Sequence, residues 1–235
     1  NGGFEWHRSG ELIFPGNQPD DYSGGRIERV DLDTGEVEVL FTECDGEPLK
    51  GPNDIVFDAR GGFWFTDHGK NRPRDRDRTG VFYATTDGHI EEVIFPLEAP
   101  NGIGLSPDEK TLYVAETPTG RLWAFDLDGP GRLRREGGRP AQRMMAQRSD
   151  FHMFDSLAVD AEGNICVATL ITGGITIHSP DGQNVDFVDM PDLLTTNICF
   201  GDDDLQTAYV TLSSTGRLVS TRWRCAGLPL NFLNK

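Results

Sequence analysis

The sequence predicts an all-β chain folded as a β-propeller, and three observations carry that prediction. First, a short apolar strand opened by Asn or Asp recurs with leads at residues 53, 101, 155 and 197, a period of 48, 54 and 42 residues, the range of one propeller blade. Second, each lead strand is followed by a turn and a second strand that stops at a polar residue: Asp67, Glu116, Thr169 and Thr211, offsets of 14, 15, 14 and 14. Third, no helix longer than about two turns is indicated by the apolar spacing.

Residues 1–25 hold two aromatic stretches, Phe4-Glu5-Trp6 and Leu12-Ile13-Phe14. A Gly-, Pro-, Asn- and Asp-rich loop from Pro15 to Gly25 follows, expected as a rim insertion. Gly25–Asp31 alternates with period two and turns through Asp33-Thr34-Gly35 into Glu36–Leu40, an outer hairpin. Counterparts recur at Gly80–Tyr83 with Thr86-Asp87-Gly88, Arg121–Phe125 with Leu127-Asp128-Gly129, and Gly174–Ile177 with Pro180-Asp181-Gly182. A last one, Gly216–Val219, lacks a closing partner, so the ring is expected to close there against an N-terminal strand. Two basic segments, Lys70–Thr79 and Arg132–Arg148, read as solvated rim loops, with a lid over an anionic ligand as the alternative.

The whole of 1–235 reads as one propeller domain. By blade length, four full blades and part of a fifth are present, and a segment of roughly one blade or more is expected before Asn1. With 38 acidic against 22 basic residues the chain carries a formal charge of −16, which repels phosphate backbones and excludes nucleic acid as a partner. No apolar run is long enough to span a membrane. Cys166 and Cys199 sit in strand patterns and read as buried thiols, whereas Cys44 and Cys225 fall in loop or terminal segments. None has zinc-site spacing, so a reducing, cytoplasmic location is expected.

In an antiparallel hairpin the start of the first strand and the end of the second share an edge. Asn53, Asn101, Asp155 and Asn197 are therefore expected at one end of a channel, with Asp67, Glu116, Thr169 and Thr211 beside them. A single Asn or Asp there is an ordinary turn former, but repetition in register is not required by turns. A hard cation requires it: calcium takes six to eight oxygens, and amide and carboxylate oxygens from Asn53, Asn101 and Asp155 supply part of such a shell. Soft ligands are absent from the ring, which disfavours a zinc site of the His/Cys kind. His68 and His152 are placed to reach the channel mouth; His7, His89 and His178 are expected on the surface. There is no Gly-x-Ser-x-Gly elbow.

The segments Gly51-Pro52-Asn53-Asp54-Ile55-Val56-Phe57-Asp58 with Gly62–Asp67, and Ala99-Pro100-Asn101-Gly102-Ile103-Gly104-Leu105 with Leu112–Thr117, resemble the gluconolactonase, regucalcin and luciferin-regenerating-enzyme-like family. So do Phe154–Asp160 and Thr196–Gly201. The resemblance runs from about residue 25 to the C-terminus. It implies a six-bladed propeller, with the N-terminal blade and part of the second lying outside this chain, and one divalent cation at the channel, Ca2+ foremost, with Zn2+, Mg2+ or Mn2+ as alternatives. It also implies that Asn101 and Asp155 hold the metal, that Asp155 is the base, and that Asn53 contacts substrate, with Asp67, His68, Glu116 and Asn197 lining the site. The family's remaining ligand, a Glu in an opening Glu-Gly-Pro-x-Trp motif, has no counterpart here, and Gly51 stands where animal lactonases of the group carry Arg. The expected activity is metal-dependent hydrolysis of a small lactone. Phosphotriester hydrolysis at the same cation and a non-catalytic interaction scaffold are the alternatives.

Overall fold

The computed structural model describes residues 5–6, 12–16, 24–147 and 152–234, and every regular element among them is a strand. The opening Asn1-Gly2-Gly3, Phe4, His7, most of the loop expected before Gly25, and Arg148 lie outside the described residues. No helix among those described is long and apolar enough to cross a membrane.

The strands form successive antiparallel sheets in a β-propeller arrangement. The first sheet runs β1 (Glu5–Trp6), β2 (Leu12–Gly16), β3 (Arg26–Val30), β4 (Val37–Phe41). A small hairpin, β5 (Glu43–Cys44) and β6 (Glu47–Pro48), precedes the second sheet: β7 (Pro52–Phe57), β8 (Gly62–Asp67), β9 (Thr79–Thr85), β10 (Ile90–Leu97). The third contains β11 (Pro100–Leu105), β12 (Thr111–Glu116) and β13 (Arg121–Gly129). Short strands β14 (Arg132–Leu133), β15 (Arg135–Glu136) and β16 (Arg139–Pro140) lead to β17 (Gln142–Gln147), which pairs with β13. The fourth is β18 (Met153–Val159), β19 (Ile165–Leu170), β20 (Gly174–His178), β21 (Val185–Asp189). The last has three strands, β22 (Thr195–Gly201), β23 (Thr207–Leu212) and β24 (Arg217–Arg222), and among the described residues β24 pairs only with β23.

Burial falls from the inner to the outer strands of a sheet. β7 and β8 are buried at every position, whereas β4 and β21 are mostly exposed. Covered on both faces, the inner strands read as apolar runs such as Phe63-Trp64-Phe65; the outer ones mix charged with apolar residues, as in Val-Glu-Val-Leu-Phe of β4 and Val-Asp-Phe-Val-Asp of β21.

The chain divides into two compact units. Unit 1 (1–101, 127–133 and 230–235) has a core of Ile27, Phe41, Leu49, Phe57, Phe63, Phe65 and Phe82, in which the Phe65 and Phe82 rings stack at 5.1 Å. Burying each such side chain is worth about 1.5–3 kcal/mol. Unit 2 (102–126 and 134–229) has two clusters: Tyr113, Leu122, Phe154, Leu157 and Val167, and Ile175, Ile177, Ile198, Val210 and Trp223.

Four expectations change. The segment from Arg132 is not a loop: it is a run of strands ending in β17, whose exposed Arg and Gln side chains hide its role as the outer strand of the third sheet. His178 is not on the surface but fully buried on the central strand β20, edge-on to Phe154 at 6.0 Å. Cys199 is exposed, because β22 alternates and Ile198 takes the inward position; Cys44, expected in a loop, is buried in the core of unit 1.

Candidate functional site

In unit 1 the openings of β7 and β11 are tied together. Asn53 and Asn101 are buried, and the buried Thr66 hydroxyl donates to the Asn101 carbonyl at 2.6 Å while accepting the Asp54 N–H at 3.1 Å. One hydroxyl thus ties the backbone at Asn101 to that of Asp54, the residue after Asn53.

Asp67 ends β8 opposite Pro52, and its carboxylate faces backbone. It accepts N–H groups from Lys50 at 2.7 Å, Gly51 at 2.7 Å and Gly69 at 3.0 Å. Burial pushes its pKa up, and these three donors oppose the shift without cancelling it. The arrangement makes Asp67 a clasp between two backbone segments. Next to it, His68 Nδ1 lies 3.1 Å from the Gly69 carbonyl, and burial lowers the imidazole pKa, so the neutral ring is favoured. Donation of the Nδ1 proton to that carbonyl leaves Nε2 as the basic atom.

In unit 2, Asp155 is buried at the start of β18. Gly102, the residue after Asn101, packs against it: a Cβ at 102 would lie 2.7 Å from the Asp155 carbonyl oxygen and 2.7 Å from the Leu157 nitrogen. Only glycine permits that approach. Glu116 is buried, accepting the Thr119 hydroxyl at 2.6 Å with Arg121 at 3.8 Å. Buried His152 has its Nδ1 2.8 Å from the Thr172 hydroxyl. Among the described residues no group of three or more His, Cys, Asp or Glu is gathered to hold a metal; the amide oxygens of Asn lie outside that set.

Strand register distinguishes Asn197 from the other leads. β7 bulges after the pair Pro52 with Asp67 and β18 after the pair Phe154 with Thr169, so Asn53 and Asp155 occupy matching positions. In β22 the first pair is Thr195 with Leu212, which puts Thr196 in that position and Asn197 one residue further on, level with Asp54 and Ser156. Side-chain bonding agrees: Asn197 Oδ1 accepts the Ile198 N–H at 2.7 Å, as Asp54 Oδ1 accepts that of Ile55 at 2.9 Å. Thr196 instead meets the hydroxyls of Thr211 at 2.8 Å and Ser213 at 3.0 Å. Sequence reasoning missed both Thr66 and Thr196, and counting back from the apolar run rather than from the Asn would have found the latter.

The chain matches the family model described as SMP-30/Gluconolactonase/LRE-like region over residues 22–214. It is 29% identical to a gluconolactonase of Zymomonas mobilis over 219 residues, covering 85% of this chain and 59% of the relative. To the diisopropyl-fluorophosphatase of Loligo vulgaris it is 29% identical over 159 residues, covering 62% of this chain and 48% of the relative. The solved structure of a gluconolactonase from Xanthomonas campestris superposes with a TM-score of 0.72 at 27% identity, covering 89% of this chain and 68% of that one. The chain spans about half to three-fifths of the length of these two curated relatives. With the family model matching most of its residues, the chain belongs to the SMP-30/gluconolactonase/LRE-like family.

Proposed function

We propose that this chain is the propeller of a metal-dependent hydrolase that opens small lactones, sugar-type lactones among them, on a ring of six blades. The observation that carries the reading is the glycine at 102. Its bare Cα lets the strand opened by Asn101 press against the backbone of Asp155, and both of those side chains are buried polar groups that ordinary core packing does not call for. Their donors, an amide and a carboxylate oxygen, suit a hard divalent cation, calcium first. When bound, the cation would polarise the lactone carbonyl and offset the developing negative charge.

The chain's own residues do the rest. Asp155 accepts a proton from the attacking water as the water oxygen bonds to the carbonyl carbon. The ring C–O bond then breaks, and the proton passes from Asp155 to the departing alkoxide, giving a hydroxy acid. Asn53 orients the substrate, while His68 and Glu116 line its path and Asp67 holds the backbone around His68. The free cysteines suit a cytoplasmic protein. Phosphotriester hydrolysis is the second reading, favoured by the resemblance to diisopropyl-fluorophosphatase.

The test is hydrolysis of a lactone panel by the full-length protein with calcium, with zinc and after chelation. Lactone opening that chelation abolishes and calcium restores is the expected result. Cleavage of phosphotriesters but no lactone would move the assignment to the second reading, and activity indifferent to chelation would remove the cation.

A further inference from the structure

Ile171 follows the last residue of β19 with φ = 74°, and it is the sole β-branched residue at positive φ among the described residues. That region is costly for a branched side chain, and such strain persists only where surrounding structure enforces it. Its side chain is 43% exposed, beside Leu193 at 64% and Leu194 at 37%.

This apolar exposure is not that of a loose loop. The Ile171 N–H donates to the Leu193 carbonyl at 2.7 Å, Leu170 and Leu194 form an antiparallel bridge, and the Met190 N–H donates to the Gly173 carbonyl at 2.9 Å. Asp192 then locks the second segment, accepting the Leu194 N–H at 2.8 Å, the Thr215 N–H at 2.8 Å and the Thr215 hydroxyl at 2.7 Å. The result is a fixed platform, held by main-chain bonds and presenting three aliphatic side chains to solvent.

Its position names its use. Leu170 pairs with Met153 and Thr169 with Phe154, so the platform begins at the edge of the sheet where β18 begins, two residues before Asp155. Three side chains are far too few for a stable protein interface of at least about 1,200 Å². A chain of formal charge −16 is repelled by anionic lipid surfaces. One alkyl chain or aromatic ring fits.

We propose that Ile171, Leu193 and Leu194 form an apolar subsite beside Asp155, selecting lactones whose ring carries an alkyl or aryl substituent over fully hydroxylated ones. The inference rests on the lactonase reading for its substrate, though not for its binding surface. Fixed side chains bury an apolar substituent without ordering a loop, so the exposed surface and the backbone strain have a return in transition-state binding.

The experiment measures kcat/KM for δ-lactones of increasing alkyl chain length, using the full-length parent, Leu193→Ser and Ile171→Asn. In the parent kcat/KM rises about 2- to 4-fold per added methylene until the platform is covered, and in both variants the slope flattens. Ile171→Asn also unfolds at higher denaturant than the parent, because Asn tolerates the left-handed region; a side chain with only a structural role would show the reverse. Equal slopes in parent and variants, or a flat slope in the parent, overturn the proposal. If no lactone is hydrolysed, the lactonase reading falls by itself, and calorimetry with alkyl-substituted cyclic ketones decides the subsite. Affinity that grows with chain length in the parent and not in Leu193→Ser upholds it, and affinity independent of chain length sinks it. Self-association or vesicle binding lost in Leu193→Ser would assign the platform to a second copy or to lipid, and would equally overturn it.

Discussion

Two connections occupy the same place in their sheets, from second to third strand, and differ in almost every physical respect. The β8–β9 connection runs over residues 68–78 and carries Lys70, Arg72, Arg74, Arg76 and Arg78; the β19–β20 connection is only residues 171–173. The long one satisfies much of its own charge. Arg72 pairs with both Asp75 and Asp77, Asp77 accepts the Lys70 N–H at 3.0 Å, and the Asp77 N–H returns to the Lys70 carbonyl at 3.0 Å. The short one presents an isoleucine to solvent at positive φ and closes on Gly173, whose absent Cβ would sit 2.4 Å from the Asp192 carbonyl oxygen. A loop rich in charge draws the eye in a sequence, yet its ion pairs and hydration account for it. The unexplained expense lies in the quiet loop.

Substitutions at the two connections separate these descriptions. The largest effect is expected from Gly173→Ala, which adds a Cβ against backbone that cannot step aside and forces a left-handed alanine. It should lower stability by about 3 kcal/mol or more in denaturant unfolding, whereas Gly69→Ala, left-handed too but meeting a side-chain carbon, the Cβ of Asp77, at the longer distance of 2.8 Å, should cost less. Equal losses would erase this contrast between the two connections.

Asp67→Ala comes next. It leaves the N–H groups of Lys50, Gly51 and Gly69 without their shared acceptor, and a loss of about 2–3 kcal/mol in the same assay is expected. Because burial raises the Asp67 pKa above its ordinary 3.8, its contribution is fully present below that value and is lost as pH rises through the raised one. The stability of the parent relative to Asp67→Asn should therefore fall with rising pH; a difference that grows would contradict the direction of the shift. Smallest of all should be Arg72→Ala, whose guanidinium is itself about half exposed, with an unfolding midpoint no further from the parent than that of other exposed charge variants.

The propeller was legible because its inner strands leave a plain signal: apolar runs such as Ile55-Val56-Phe57 and Phe63-Trp64-Phe65 between Asp- and Gly-rich turns, repeated at blade spacing. Outer strands were less so. β17 reads Gln-Arg-Met-Met-Ala-Gln, and a strand exposed on its outer edge needs no apolar pattern to pair with β13. At the candidate site, the burial of Asn53, Asn101 and Asp155 follows their common place at strand openings. The shift at Asn197 shows only when the count runs back from the apolar residue: Asn197 directly precedes Ile198, whereas Asn53 and Asp155 stand two residues before Ile55 and Leu157, and one residue changes the face. The Thr66 bridge was hidden for another reason, since a hydroxyl reaching from residue 66 to 101 leaves no local pattern. The clasp of Asp67 likewise depends on backbone N–H groups, which every sequence has and none displays.

The central claim is that the charge of Asp155 performs chemistry rather than holding a strand. It is tested most directly by the turnover of Asp155→Asn against the parent, both full-length and saturated with calcium, on a lactone the parent opens. Asn keeps the shape and one oxygen donor but cannot take the proton from water, so calcium should bind more weakly and turnover should fall about 10²-fold or more while the unfolding transition stays close to that of the parent. A variant that opens the lactone as fast as the parent would contradict the account.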